Sequence, residues 1–248
     1  MHIFINFHEQ LNFFLKDRHK GRSIKYPLTR RASVKDIIES FGIPHTETGC
    51  ILFNNILVDF SFVPESCGTL QVDAILEPFK LLQPSLLRPK PADNIKFIAD
   101  VNVIKLGRLL ILLGFDVVFS SSWSDKNIAD MADKTGRIVL TRDTGLLKRS
   151  KIVFARRIRA DLPYDQLVET IRFFGLAPLI SLFSRCTQCN RKLNPVPKKE
   201  VLHLLEPKTK LYFNSFFQCP ECKKVFWRGS HYDHILNKIA SLGIAVKR

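Results

Sequence analysis

The chain carries two identical knuckles, Cys186-x-x-Cys189 and Cys219-x-x-Cys222, with 29 residues between them. Each knuckle presents two thiolates from one tight turn, and two knuckles supply the four sulfurs of a tetrahedron. That donor set is the one a closed structural Zn²⁺ site uses. Residues 181–248 are therefore expected to fold as a zinc ribbon with a C-terminal helix, the stretch between the knuckles forming strands that bring them together. Disulfides are the competing use of four cysteines, and they are disfavoured in a reducing compartment. Cys50 and Cys67 lie far from the knuckles and read as buried apolar side chains and not as ligands.

A ribbon accounts for only part of 248 residues, because a domain typically takes about 100 to 200. With 46% hydrophobic and 25% charged residues the chain can bury a core, which excludes a disordered tail, a collagen and a coiled coil. Its longest apolar stretch, Leu109 to Phe119, is interrupted by Gly114 and Asp116 and falls short of the roughly 18 residues of a membrane span. Residues 1–10 lack the Lys or Arg that opens a secretory signal, so a cytoplasmic protein is expected.

The net charge of +15 is unevenly distributed. Residues 1–78 hold 8 Lys and Arg against 9 Asp and Glu, whereas residues 79–248 hold 30 against 14. A basic portion beside a neutral one points to a polyanion, because each phosphate neutralised releases condensed counterions. RNA or DNA is the leading partner, ahead of an anionic membrane surface. Loading one Zn²⁺ on four thiolates would bring the charge to about +13 and leave that character intact.

The pattern along the chain divides it further. Residues 1–78 read as a strand (1–7), a helix after the capping sequence Ser33-Val34-Lys35-Asp36, a hairpin turning at Asn54-Asn55, and a last strand near 70–76. That order matches a small α+β unit of β-grasp type. Residues 79–94, with Pro84, Pro89 and Pro91 and no period, read as a linker. From 95 to 180 short apolar runs alternate with helical ones, which argues for an α/β domain built on a parallel sheet with its ligand site at the carboxyl ends of the strands.

Asp100 follows the run Ile95 to Ala99, and Asp143 follows Ile138 to Leu140 in Thr141-Arg142-Asp143. In a parallel sheet such positions converge, and paired carboxylates suit Mg²⁺ or Mn²⁺ working on a phosphodiester. Asp125, opening the next helix, and Asp161, after a fourth strand, are candidate further ligands. Helix capping is the ordinary alternative for Asp100 and Asp125, and a turn for Asp143. Lys148, Arg149, Lys151, Arg156, Arg157 and Arg159 follow with no acidic residue among them, a rim suited to holding a phosphate backbone. In the ribbon, basic residues including Arg228 interleave with Tyr212, Phe213, Phe216 and Phe217, any exposed one of which could stack a base. His231 and His234 are further candidates to meet phosphate.

Several segments together resemble a known family. They are Asp100-Val101 before Lys105-Leu106; Leu112-Leu113-Gly114-Phe115-Asp116; Thr141-Arg142-Asp143 with Gly145-Leu146-Leu147; Asn194-Pro195-Val196-Pro197-Lys198; and Cys219-Pro220-x-Cys222 leading to Trp227-Arg228-Gly229-Ser230-His231. They are similar to the mut-seven C-terminal nuclease domain, a PIN-like fold followed by a zinc ribbon. Ile43-Pro44-His45-Thr46-Glu47 and Val58-Asp59-Phe60 are similar to the ubiquitin-like domain that often precedes it. The resemblance implies a metal-dependent ribonuclease whose acidic positions are Asp100, Asp125, Asp143 and Asp161. RNA contacts are assigned to Lys105, Arg142, Lys148, Arg149, Arg156, Arg157 and Arg228, and a protein partner to the N-terminal domain. Asn102-Val103-Ile104 replaces the His-Leu-Gly-like step of the family, and Ile111 replaces an Arg, which bears on rate or substrate. The first domain ends without Gly-Gly, so conjugation chemistry is not expected of it. A non-catalytic RNA-binding or ribosome-associated adaptor and a DNA nuclease are the alternative readings.

Overall fold

The first strand, β1 (His2–Phe7), buries Ile3 and Ile5 completely and leaves Phe4 exposed, the alternation of a sheet with one face on a core. This computed structural model describes residues 1–244, and the side chain of His231, with the phosphate contact expected of it, lies outside the described residues. After β1 come β2 (Ile24–Pro27), α1 (Val34–Ser40), β3 (Thr48–Phe53), β4 (Ile56–Leu57) and β5 (Gly68–Ala74). They form a sheet in the order β2-β1-β5-β3-β4, with β1 parallel to β5 and the other pairs antiparallel, a β-grasp.

Local chemistry explains the elements. Ser33 Oγ accepts from the Asp36 N–H at 3.2 Å and Asp36 Oδ2 accepts from the Ser33 N–H at 3.3 Å, so α1 starts with a reciprocal cap. Asn54 and Asn55 take φ of 50° and 67°, the left-handed pair that a tight two-residue hairpin requires. Strand β2 was not expected from the sequence, because its side chains are only half-buried or exposed and alternate weakly.

The prolines keep residues 79–94 from any regular element beyond an isolated bridge, Ser85 to Arg88. The segment is nonetheless packed: Leu81, Leu87 and Ala92 are buried, and the Phe79 N–H donates to the Phe173 carbonyl at 2.7 Å. Composition alone suggested a loose tether, since scattered apolar residues show no period even when each is buried.

The second domain runs β6 (Lys96–Ala99), α2 (Ile104–Leu112), β7 (Asp116–Val118), α3 (Asp125–Thr135), β8 (Ile138–Thr141), α4 (Thr144–Leu147), β9 (Ala155–Arg157) and α5 (Pro163–Phe174). Its four strands are all parallel in the order β7-β6-β8-β9. The central strands are buried on both faces. Phe97, Ala99, Ile138 and Leu140 pack with Leu106 and Leu110 of α2 and with Phe173 and Phe174 of α5. Ile98 and Val139 face the other way, onto Ile128 and Ala132 of α3 and Leu146 and Leu147 of α4. Each large aliphatic or aromatic side chain so enclosed contributes about 1.5–3 kcal/mol. The chain leaves β6 toward β7 on one side and β8 toward β9 on the other. The topological switch point therefore falls between the carboxyl ends of β6 and β8.

The last part contains β10 (Asn194–Val196), α6 (Lys198–Val201), α7 (Pro207–Tyr212), β11 (Phe216–Gln218), β12 (Val225–Trp227) and α8 (Ser230–Ser241). The three strands pair antiparallel in chain order, a ribbon around Val201, Leu205 and Phe216. Helix α8 returns to the second domain, burying Ile239 in the same core as Phe97 and Phe174. Among the described residues, no helix is long and apolar enough to cross a membrane.

The first two domains meet through buried polar groups. The 3₁₀ turn His45–Glu47 lies against β9, with Glu47 2% exposed. Glu47 Oε2 is 2.8 Å from Arg156 Nη1, and Oε1 accepts from the Arg157 N–H at 2.7 Å. His45 spans Glu39 Oε1 at 2.8 Å and the Ile152 carbonyl at 2.9 Å. From residues 79–94, Arg88 donates to the carbonyls of His45, Thr46 and Thr48 at 2.9–3.2 Å and stacks over Phe79. Burial brings the Arg88 guanidinium down to about 10, against the opposing pull of Glu47.

Candidate active site

The carboxyl ends of β6 and β8 bring two acidic residues to one hydroxyl. Asp100, 7% exposed, follows β6; its Oδ1 accepts from the Val101 N–H at 2.6 Å, starting the 3₁₀ turn Val101–Val103. Its Oδ2 accepts from Thr141 Oγ1 at 2.7 Å and from Asn102 Nδ2 at 2.6 Å. Thr141, fully buried at the end of β8, accepts in turn from the Asp143 N–H at 2.9 Å. Asp143 caps α4, accepting from the Gly145 N–H at 2.7 Å, and its side chain is exposed. Asn102 closes the arrangement by accepting from the Arg142 N–H at 3.0 Å. Asp100 and Asp143 thus serve as caps and also share Thr141.

Among the described residues, neither Asp100 nor Asp143 forms an ion pair. Burying a carboxylate among neutral donors only is costly, and a hard divalent cation with one or two carboxylates and water offsets that cost. In this respect the donor set suits Mg²⁺ or Mn²⁺.

Asp125 and Asp161 are placed differently from expectation. Asp125 is the first residue of α3, after the cap Ser124, and its Oδ2 lies 3.5 Å from Arg149 Nη2. Asp161, 83% exposed, pairs with Arg142 Nη2 at 2.6 Å. Among the described residues, only the four cysteines bring three or more acidic, His or Cys ligand atoms within 4.8 Å of one another. The four aspartates therefore do not form one cluster: two are joined through Thr141 and two are held by arginines.

The basic run is divided as well. Arg156 was expected to contact RNA, but it is 6% exposed, bound to Glu47 and Glu169 and laid on the Phe173 ring at 4.0 Å. Its guanidinium is spent on the domain junction and cannot meet a phosphate. Lys148 Nζ donates to the Glu39 carbonyl at 2.9 Å. Arg157 gives its backbone to Glu47, but its guanidinium extends over Phe13 at 4.5 Å and donates from Nε to Thr144 Oγ1 at 3.2 Å. Lys105, Arg149 and Arg228 are exposed, Arg228 over Tyr232, and Arg142 is half-buried beside Asn102. Thr141 and Asn102 were missed as site residues because neutral polar side chains carry no charge pattern. The threonine does stand two positions before Asp143, where its hydroxyl can reach a neighbouring strand end.

The four cysteines sit on two knuckles of the same build. Asn190 and Lys223 each take a left-handed φ, 57° and 60°, and return their N–H groups to the carbonyls of Cys186 and Cys219 at 2.8 and 3.1 Å. Cys186 and Cys219 are buried, and Cys189 and Cys222 half-buried, whereas Cys50 and Cys67, expected to be buried, are half-buried and exposed. The Lys224 N–H brings the Cys222 thiol down to about 7, while the hydrogen bond to Cys222 pushes Cys189 up to about 12. Four thiols this close cannot all ionise without a cation, and the cluster could hold one such as zinc. The first knuckle is anchored on the sheet through Asp116, which accepts from Arg137 Nη1 at 2.7 Å and Asn190 Nδ2 at 3.1 Å and faces Arg185 Nη2 at 3.6 Å.

A β-grasp domain, an α/β domain on a parallel sheet with carboxylates at its switch point, and a four-cysteine ribbon define the fold class of this chain. Residues 95–239 match the family model described as the Mut7-C RNase domain, and residues 1–80 match the one described as Mut7-C ubiquitin. The chain belongs to the Mut7-C RNase domain family and carries its ubiquitin-like domain at the N-terminal side. Comparison with curated proteins and with solved structures found no match.

Proposed function

We propose that this protein hydrolyses RNA phosphodiesters at the site formed by Asp100 and Asp143. The observation that carries the reading is the pair of acidic residues without cationic partners at the switch point of the parallel sheet, Thr141 bonding the Asp100 carboxylate and the Asp143 backbone N–H. Mg²⁺ or Mn²⁺ held by these two carboxylates would supply Lewis-acid stabilisation of charge on the phosphate and a more acidic water. The residues of the chain do the rest. Thr141 and Asn102 fix the Asp100 carboxylate, so little reorganisation is needed when substrate arrives. We assign the holding of the RNA backbone to Arg142, Arg149 and Lys105, the two arginines being oriented by Asp161 and Asp125. Arg228 extends the basic surface onto the ribbon, whose four cysteines would hold a structural Zn²⁺. RNA is preferred over DNA on the strength of the family match. A protein partner would use faces of the ubiquitin-like domain other than the His45–Glu47 turn, which is buried.

One finding favours a second reading, an RNA-binding adaptor without catalysis. Asp125 and Asp161 are engaged by arginines, so the acidic site is reduced to two carboxylates. Incubating purified chain with end-labelled RNA and with DNA of the same sequence, in Mg²⁺ or Mn²⁺, separates the readings. RNA cleavage that disappears in Asp143→Asn is expected. RNA binding without cleavage in either metal would establish the adaptor, and preferential DNA cleavage would replace the substrate.

A further inference from the structure

Beside Asp143 the two N-terminal domains together form a cleft of about 440 Å³. The second domain contributes Thr144, Gly145, Lys148 and Arg157, and the ubiquitin-like domain contributes Phe13 and Phe14. The cleft adjoins the proposed active site directly, since the Gly145 N–H that lines it is bonded to the Asp143 carboxylate at 2.7 Å. Phe13 ends a 3₁₀ turn and leaves 48% of its surface open at the mouth of this cleft. Its ring and that of Phe14 stand edge to face at 5.1 Å, and the guanidiniums of Arg157 and Arg159 lie 4.5 and 5.1 Å from the Phe13 centroid.

We propose that this composite cleft is a nucleotide subsite for single-stranded RNA, in which a base stacks on Phe13 and its phosphate meets Arg157. An aromatic face beside a cation is the combination that single-stranded nucleic acid uses, because every base has a π-face and every linkage a negative charge. Duplex RNA keeps its bases paired and cannot offer one to Phe13. The electrostatics agree. The Arg157 guanidinium is held below its ordinary range first by burial and then by the positive charge of Arg142, with Arg159 adding to the crowding and Glu47 opposing it. A phosphate entering there would relieve that repulsion. The ubiquitin-like domain would thereby be part of the substrate surface, in addition to being docked through Glu47. The subsite rests on the RNA reading above, but it does not require that the RNA be cut.

The test uses the full chain and a fluorescent RNA of about 12 nucleotides without secondary structure, and a duplex of the same sequence, with no Mg²⁺ or Mn²⁺ added. Phe13→Ala should weaken single-strand binding roughly tenfold, Phe13→Trp should restore it, and duplex binding should not change. Photo-crosslinking with 5-iodouridine in the single strand should label the peptide holding Phe13, and thermal melting reports whether each variant is folded. Single-strand affinity unchanged in folded Phe13→Ala, crosslinks confined to other peptides, or no single-strand binding by the wild type would each overturn the subsite. RNA cleavage by a protein indifferent to Phe13 overturns the subsite and leaves the nuclease reading standing. Crosslinking at Phe13 by a protein that cuts nothing does the reverse.

Discussion

Glu47 of the ubiquitin-like domain and Arg156 of the nuclease domain form an ion pair at 2.8 Å, across 109 residues of sequence, with both side chains under 10% exposed. The Glu47 carboxylate also receives the Arg157 N–H, and Arg156 also lies near Glu169 and on Phe173, which leaves Arg156 Nε as the one buried donor of the pair without a partner. Truncating one partner of such a pair strands the other in a poorly solvated place. Glu47→Ala is expected to cost about 3–5 kcal/mol in urea unfolding. A loss below about 1 kcal/mol would mean that the junction opens to water without penalty.

Thr141 links the Asp100 carboxylate to the backbone N–H of Asp143, and its hydroxyl can be removed with little change of shape. Thr141→Val should lower RNA cleavage about 10- to 100-fold, as loss of an outer partner of a metal ligand does, and leave RNA affinity near wild type. Asp143→Asn should abolish cleavage while binding persists, because most affinity for RNA comes from basic residues. Equal turnover by wild type and Thr141→Val would remove the hydroxyl from the mechanism.

Metal analysis of purified protein should find one zinc per chain. Zinc binding requires thiolates, so affinity should fall steadily as pH is lowered, with Cys222, whose thiol the Lys224 N–H makes more acidic, the readiest of the four to ionise. Chelation or Cys222→Ser should expose the remaining thiols to modifying reagents. Thiols that react freely in zinc-loaded protein would contradict the site.

Asp116 gives an acid-sensitive element. Burial works to raise its pKa, but the hydrogen bond and charge of Arg137, the charge of Arg185 and the Asn190 amide outweigh it and hold the carboxyl below its ordinary value. A group with a depressed folded pKa contributes its full stability above the ordinary value, near 4, and loses it as pH falls through the folded one. Anchoring of the first knuckle should therefore weaken below about pH 4 in wild type. Asp116→Asn should show that looser docking already at neutral pH, as faster hydrogen exchange at Asn190, and lose the acid step.

Much of the fold is legible locally. The Ser33 cap, the Asn54-Asn55 turn, the helix from Pro163 to Phe174 closed by left-handed Gly175, and the paired knuckles each need only neighbouring residues to be understood. The placing of Asp100 and Asp143 at strand ends is legible too, since each directly or closely follows a short apolar run. What cannot be read this way depends on distant partners. Nothing near Arg156 indicates that Glu47 will claim it, and an uninterrupted basic run looks like a phosphate surface until the acidic residue that neutralises it is found. Residues 79–94 mislead for a related reason: Arg88 is fixed by the His45 and Thr46 carbonyls and Leu81 by the core around Phe97 and Phe173, while the local prolines suggest only slack chain.

The return of α8 to the second domain has a consequence for how the protein is made. Ile239 belongs to the core around Phe97 and Phe174, yet it leaves the ribosome well after the four-stranded sheet has been synthesised. During translation that core waits with an uncovered apolar wall, vulnerable to aggregation until the final helix seals it. A chain truncated in the ribbon would lack part of its second-domain core as well as its cysteine site.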